Sequence, residues 1–146
     1  MNKESNSNVT VTQFVNALIN RSPCSPNTAD YMAYGYHAGW LADMDITGKN
    51  EPLLKKNAAR IIHEFMRIEL QEPDLGDVSA ATKLRDLYDC RVCTKHVMQA
   101  YAKGIMNGYY ATNTLYLFGM NEPVSETDMY EILSRIFDLN LRLLSQ

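Results

Sequence analysis

A chain of 146 residues, 46% hydrophobic and 21% charged, has room for one domain with a buried core and not for two. A net charge of −3 without any Lys/Arg run excludes the broad cationic face that drives nucleic-acid binding, and no stretch is long and apolar enough to span a bilayer. Three cysteines, an odd number, point either to a reducing compartment or to a free thiol beside one bridge.

Residues 1–8, MNKESNSN, are polar throughout and read as a flexible tail, leaving one domain over 9–146. No charged-then-apolar export signal precedes the first patterned segment. Two locations fit: the cytoplasm if Met1 is the natural start, or the cell envelope if the chain is a module trimmed from a larger exported protein.

The first helix is predicted near 10–20, where Phe14, Ala17 and Leu18 share one face. Thr10-x-x-Gln13 forms a capping box for it, with Val9 and Phe14 at the spacing of a hydrophobic staple. A second kind of helix follows, "NTADYMAYGYHAGWL", stopped at Gly39 by the left-handed conformation that glycine adopts at low cost. Then comes "GKNEP" at Gly48 and a helix near 54–68 carrying Ala58, Ile61, Ile62 and Phe65, with Leu54 where a polar cap belongs. Across "QEPDLGD" the chain turns, and Ser79 is placed to cap a short helix through Tyr88 with Leu84 and Leu87 inward.

The pattern then repeats. "VCTKHVMQAYAKGIM" reads as a helix ending at Gly104, "GMNEP" begins at Gly119, and a helix near 125–139 carries Met129, Ile132, Leu133 and Ile136 behind a Ser125-x-x-Asp128 cap. The second unit's loop is longer: Gly39 to Asn50 is 11 residues and Gly104 to Asn121 is 17, the extra length lying within "NGYYATNTLYLF". The division is a half repeat at 9–20, a first repeat at 24–70, a connector at 71–89 and a second repeat at 90–142. Short helices with matching apolar stripes must bury them together. The fold class expected is therefore all-α, a pseudo-threefold bundle of helix-loop-helix repeats with the Gly-ended helices outside and grooves between units.

In the second unit, Gly104-Ile105, Gly108-Tyr109, Phe118, Asn121, Pro123, Val124, Ser125, Asp128, Ile132, Leu133 and Arg135 occur in the order and spacing of an S-layer homology (SLH) module, which the chain resembles in about two and a half degenerate copies. The resemblance implies a non-enzymatic module of exported bacterial proteins that holds an anionic wall polysaccharide between repeats. It also implies a cation at the first helical position of each inner helix. Lys55 stands there in the first unit, Glu126 in the second and Val11 in the opening half unit.

Cys90-x-x-Cys93-x-x-His96 places two sulfurs and an imidazole around a helix start, a set that zinc, a Cys90–Cys93 bridge or idle thiols would each explain; no fourth ligand is evident and Cys24 is expected far away. His63-Glu64 is not followed by a second His four residues on, so a zinc-protease reading fails and His63 is expected on the helix surface. His37 sits near a helix end, where the dipole favours a cation. No nucleophile elbow, phosphate loop or dinucleotide turn occurs, so no enzyme is expected. Nine tyrosines and one tryptophan are many for this length: Tyr31, Tyr34, Tyr36 and Trp40 share an outer helix, and Tyr109, Tyr110 and Tyr116 share the inserted loop. Exposed, such rings stack on sugars or anchor protein contacts; buried, they fill the outer layer.

Three readings follow. In the first, Lys55, Trp40, Tyr109, Tyr110 and Tyr116 line grooves for a cell-wall glycan. In the second, a stand-alone inhibitor or adaptor of phage or mobile-element type turns the same aromatic loop on a protein target. In the third, zinc at Cys90, Cys93 and His96 stabilises an interaction domain.

Overall fold

The computed structural model describes residues 7–24 and 26–143. Of the tail expected over 1–8, residues 1–6 lie outside the described residues. Ser7 and Asn8 are tied into the fold: the Glu126 N–H donates to the Ser7 carbonyl at 2.7 Å, and Asn8 bridges to Ser125.

The described chain is mainly helical, with α1 (Val11–Arg21), α2 (Tyr31–Ala38), α3 (Asp43–Thr47), α4 (Lys55–Ile68), α5 (Thr94–Ala102) and α6 (Glu126–Phe137). Its one sheet is a ribbon of β1 (Tyr109–Tyr110) and β2 (Tyr116–Leu117), paired antiparallel as Tyr109 with Leu117 and Tyr110 with Tyr116. The all-α expectation needs that amendment. The longer loop of the second unit doubles back because aromatic residues, which favour extended backbone, flank the turn "ATNT". At the corresponding place the first unit has α3.

The helix starts form as their residues dictate. Thr10 and Ser125 both close reciprocal capping boxes, with Gln13 and Asp128 respectively. Leu54 has no oxygen to offer and makes no side-chain cap. The α4 start is held from outside instead: its Lys55 and Lys56 N–H groups donate to the Glu122 and Met120 carbonyls at 2.8 and 3.1 Å. α2 and α5 are each followed by a left-handed glycine, Gly39 at φ +100° and Gly104 at φ +78°.

The segments entering α1, α4 and α6 meet in a closed cycle of main-chain hydrogen bonds. The Leu53 N–H donates to Val9 C=O (2.9 Å), Val124 N–H to Leu53 C=O (2.8 Å), and Val9 N–H to Val124 C=O (3.0 Å). A second set surrounds it, in which the first residue of each helix donates two residues upstream on its neighbour: Val11 to Glu51, Lys55 to Glu122 and Glu126 to Ser7. Val9, Leu53 and Val124, at the centre of this cycle, are buried.

The same core contains Phe14, Leu18, Ile61, Ile62, Phe65, Leu133 and Phe118, each fully buried. Removing such side chains from water contributes about 1.5–3 kcal/mol apiece. α5 packs against α4, so α4 is covered on two sides and buries Ala59, His63 and Met66 as well as its inner stripe. The expected short helix from Ser79 to Tyr88 is a 3-10 turn over Ser79–Lys83, and Ser79 does not cap it but donates its N–H to Asp77 Oδ1 at 3.0 Å. Leu84 and Leu87 are nonetheless buried.

Candidate functional site

A groove runs between the start of α4 and the second unit, walled by Lys55, Asn107, Gly108, Tyr109, Glu122 and Asp128. Lys55 Nζ lies 5.3 Å from the centre of the Tyr109 ring and 3.4 Å from Glu122 Oε1, while the Tyr109 hydroxyl bonds the other oxygen of Glu122. That bond raises the Tyr109 phenol above its ordinary range. Gly108 lets the wall close: a Cβ there would come within 2.8 Å of both the Leu117 carbonyl oxygen and the Leu84 side chain. The groove continues past Val124 to Glu131, Ile132 and Arg135. Arg135 is held by the Ile105 carbonyl and by Glu131.

The floor of this loop is fixed by Asp86. Its carboxylate, 8% exposed, accepts the backbone N–H groups of Phe118 (2.8 Å), Gly119 (2.9 Å) and Met120 (3.4 Å). Asp86 carries no local sequence signal, because its partners lie more than thirty residues away.

A second cleft repeats the first at aligned positions. Val9, Gln13, Asn16, Ala17, Asn20 and Glu126 line it where Val124, Asp128, Glu131, Ile132, Arg135 and Lys55 line the other. The two share shape and differ in chemistry, since amides and one acid replace two cations and two acids.

Of the predicted ligand-binding residues, Lys55 and Tyr109 come together. Tyr110 and Tyr116 do not join them; their rings lie 4.7 Å apart on the ribbon, tilted by 52°, and the Tyr116 hydroxyl is 3.2 Å from that of buried Tyr101. Tyr110 is 67% exposed. Trp40 is a correction. It is 1% exposed, packs edge-on against Phe65 at 5.0 Å and donates from Nε1 to Glu69 at 2.9 Å, so no ligand can reach it. Glu69 also binds the Tyr34 hydroxyl, which is pushed up to about 12 by that bond and by burial, and lies 3.3 Å from the Cys24 sulfur. Burial raises the Cys24 thiol, so this free cysteine is protonated and poorly nucleophilic.

The Cys90, Cys93, His96 metal set is a second correction. Cys90 and Cys93 are joined in a disulfide and have no thiolates to donate. His96, at the start of α5, turns away from them to His63 on α4, their Nδ1 atoms 2.8 Å apart. His63 is 6% exposed, against the surface position expected for it. Its Nε2 lies 2.7 Å from Asp74 Oδ1, and Glu64 Oε2 lies 3.9 Å from both Nδ1 atoms. Burial, with the His63 charge site beside it, pushes His96 down to about 4 and leaves it neutral.

No family model, characterised protein or solved structure matches the chain. Its functional reading therefore rests on this geometry. Among the described residues, no helix is long and apolar enough to cross a membrane.

Proposed function

We propose that the chain is a non-enzymatic, SLH-like binding module, a pseudo-threefold bundle of two and a half repeats divided at 9–20, 24–70 and 90–142, and that it holds a cell-envelope polysaccharide in the groove above Lys55. The cycle of hydrogen bonds joining Val9, Leu53 and Val124 supports the bundle. The groove carries the function: Lys55 stands over the Tyr109 ring, with Asn107, Glu122 and Asp128 around them. A tyrosine face stacks on a sugar ring, carboxylates and an amide accept and donate to its hydroxyls, and Lys55 meets one acidic substituent. Glu122, Asp128 and Glu131 make the site unsuited to a densely anionic polymer.

The test is co-sedimentation of the purified chain with isolated wall polysaccharide. Retention should fall at least tenfold in Lys55→Ala and in Tyr109→Ala; no retention of the wild type rejects the reading. One observation favours a second reading, protein recognition: Tyr110 presents an exposed ring at the ribbon. Loss of a captured protein on Tyr110→Ala, with no polysaccharide binding, would decide for it.

A further inference from the structure

We propose that α4 and α5 hold a zinc-class divalent ion between His63 Nδ1, His96 Nδ1 and Glu64 Oε2. The three donor atoms lie within 4.8 Å of one another, and the two imidazoles are buried. This set is independent of the groove and of Cys90 and Cys93.

The hydrogen-bond pattern prepares the site. Asp74 Oδ1, a carboxylate oxygen, can only accept, so His63 Nε2 carries a proton and Nδ1 is the ring nitrogen left to face an ion. The 2.8 Å contact between the two Nδ1 atoms holds a single proton, since one nitrogen must donate and the other accept. Taking up an ion displaces that one proton, to His96 Nε2 when both rings start neutral and to solvent when one starts charged. Both rings are neutral once they ligate the ion. Asp74 stands to His63 as outer carboxylates stand to metal-bound histidines generally, fixing ring and tautomer. Glu64 is prepared in the same way: Arg67 binds its Oε1 and leaves Oε2 toward the histidines.

Size and charge agree. With metal–nitrogen bonds of about 2.0–2.1 Å in a tetrahedral set, the two nitrogens sit about 3.4 Å apart, so the rings need only separate by about half an ångström and Glu64 approach by a similar amount. Glu64 and Asp74 balance the two charges of the ion. Two imidazoles and one carboxylate suit zinc better than magnesium or calcium. Three protein donors leave a position for water.

The experiment uses the full chain without a polyhistidine tag. Metal content is measured as purified, and the chelator-stripped protein is titrated with Zn2+ by calorimetry and with Co2+ by visible absorption. Expected are one zinc per chain, a melting temperature raised by zinc, and a Co2+ spectrum of nitrogen–oxygen type without the intense charge-transfer bands of thiolate. Asp74→Asn and Glu64→Gln, both partly exposed, should each weaken zinc at least tenfold while keeping the helical circular-dichroism spectrum. The Cys90→Ser/Cys93→Ser double variant should bind zinc as the wild type does. Failure of the stripped wild type to take up stoichiometric zinc, unchanged affinity in both carboxylate variants, or loss of binding in the double serine variant would each overturn the proposal. The first of these outcomes leaves an Asp74–His63–His96 chain that only links α5 to α4.

Discussion

Replacing Asp86 by Asn changes one atom in the interior and tests how the second unit's loop is held. The aspartate directs Oδ1 at the Phe118 N–H and Oδ2 at the Gly119 and Met120 N–H groups. Asparagine keeps one oxygen. Whichever way its amide turns, an NH2 group faces a backbone donor, and at least one buried N–H loses its acceptor. An orphaned buried donor costs about 1–3 kcal/mol, and the surviving bond, no longer to a charged oxygen, weakens by about 1 kcal/mol, so the total is about 2–4 kcal/mol. For a domain of this size that corresponds to a melting temperature lower by roughly 6–12 °C. Urea unfolding followed by the fluorescence of the single, buried Trp40 measures it directly. The midpoint should fall with the slope unchanged, because the surface exposed on unfolding is the same. A loss below about 1 kcal/mol would refute the reasoning, since it would mean that water or a shifted backbone satisfies the three donors without the carboxylate.

Two further perturbations test ion pairs. Asp45, 2% exposed, accepts both guanidinium nitrogens of Arg60 at 2.7 and 2.8 Å and also the Ala42 N–H. Arg60→Met leaves that carboxylate buried without its partner and should cost about 3–5 kcal/mol in urea unfolding, whereas adding Asp45→Asn should recover part of the loss. Glu72 receives Lys103 and a two-point contact from Arg142; burial alone would raise its carboxyl, but these bonds outweigh it and hold it below the usual range. With the folded value depressed, its contribution is complete above the unfolded value near 4.5 and is lost as pH falls through the folded one. Melting temperature measured between neutral and acid pH should therefore decline less steeply in Glu72→Gln, which is also less stable at neutral pH.

What the sequence disclosed was whatever is written locally. Thr10 with Gln13 and Ser125 with Asp128 declare helix starts within four residues, so the bounds of α1 and α6 differ from expectation by no more than two residues, and Gly39 and Gly104 declare the stops of α2 and α5. What it withheld were pairings across the chain. His63 reads as a surface residue beside Glu64, but Ala59, Ile62, His63 and Met66 follow one another at helical spacing and form a second stripe on α4. That stripe was the available sign that another helix would cover it. Nothing local announces that the helix is α5, or that His96 on α5 would face His63. Trp40 and Asp86 are the same case, each defined by a partner some thirty residues away.

The likeness of the two clefts and the difference in their chemistry have one physical origin. The cycle through Val9, Leu53 and Val124 is made by main-chain atoms, and the first residue of each following helix enters it only through its N–H. Any side chain at that position keeps the joint. Val11, Lys55 and Glu126 are accordingly an apolar residue, a base and an acid on equivalent backbone, and Asn20 and Arg135 differ in the same way about two and a half turns of helix further along one wall. Groove chemistry can thus change residue by residue without disturbing the fold. For the same reason Lys55, and not the buried valines beneath it, is the residue at which recognition and stability should separate: Lys55→Ala removes a cation with 19% of its side chain exposed and one weak ion pair, leaving every backbone bond of the cycle in place.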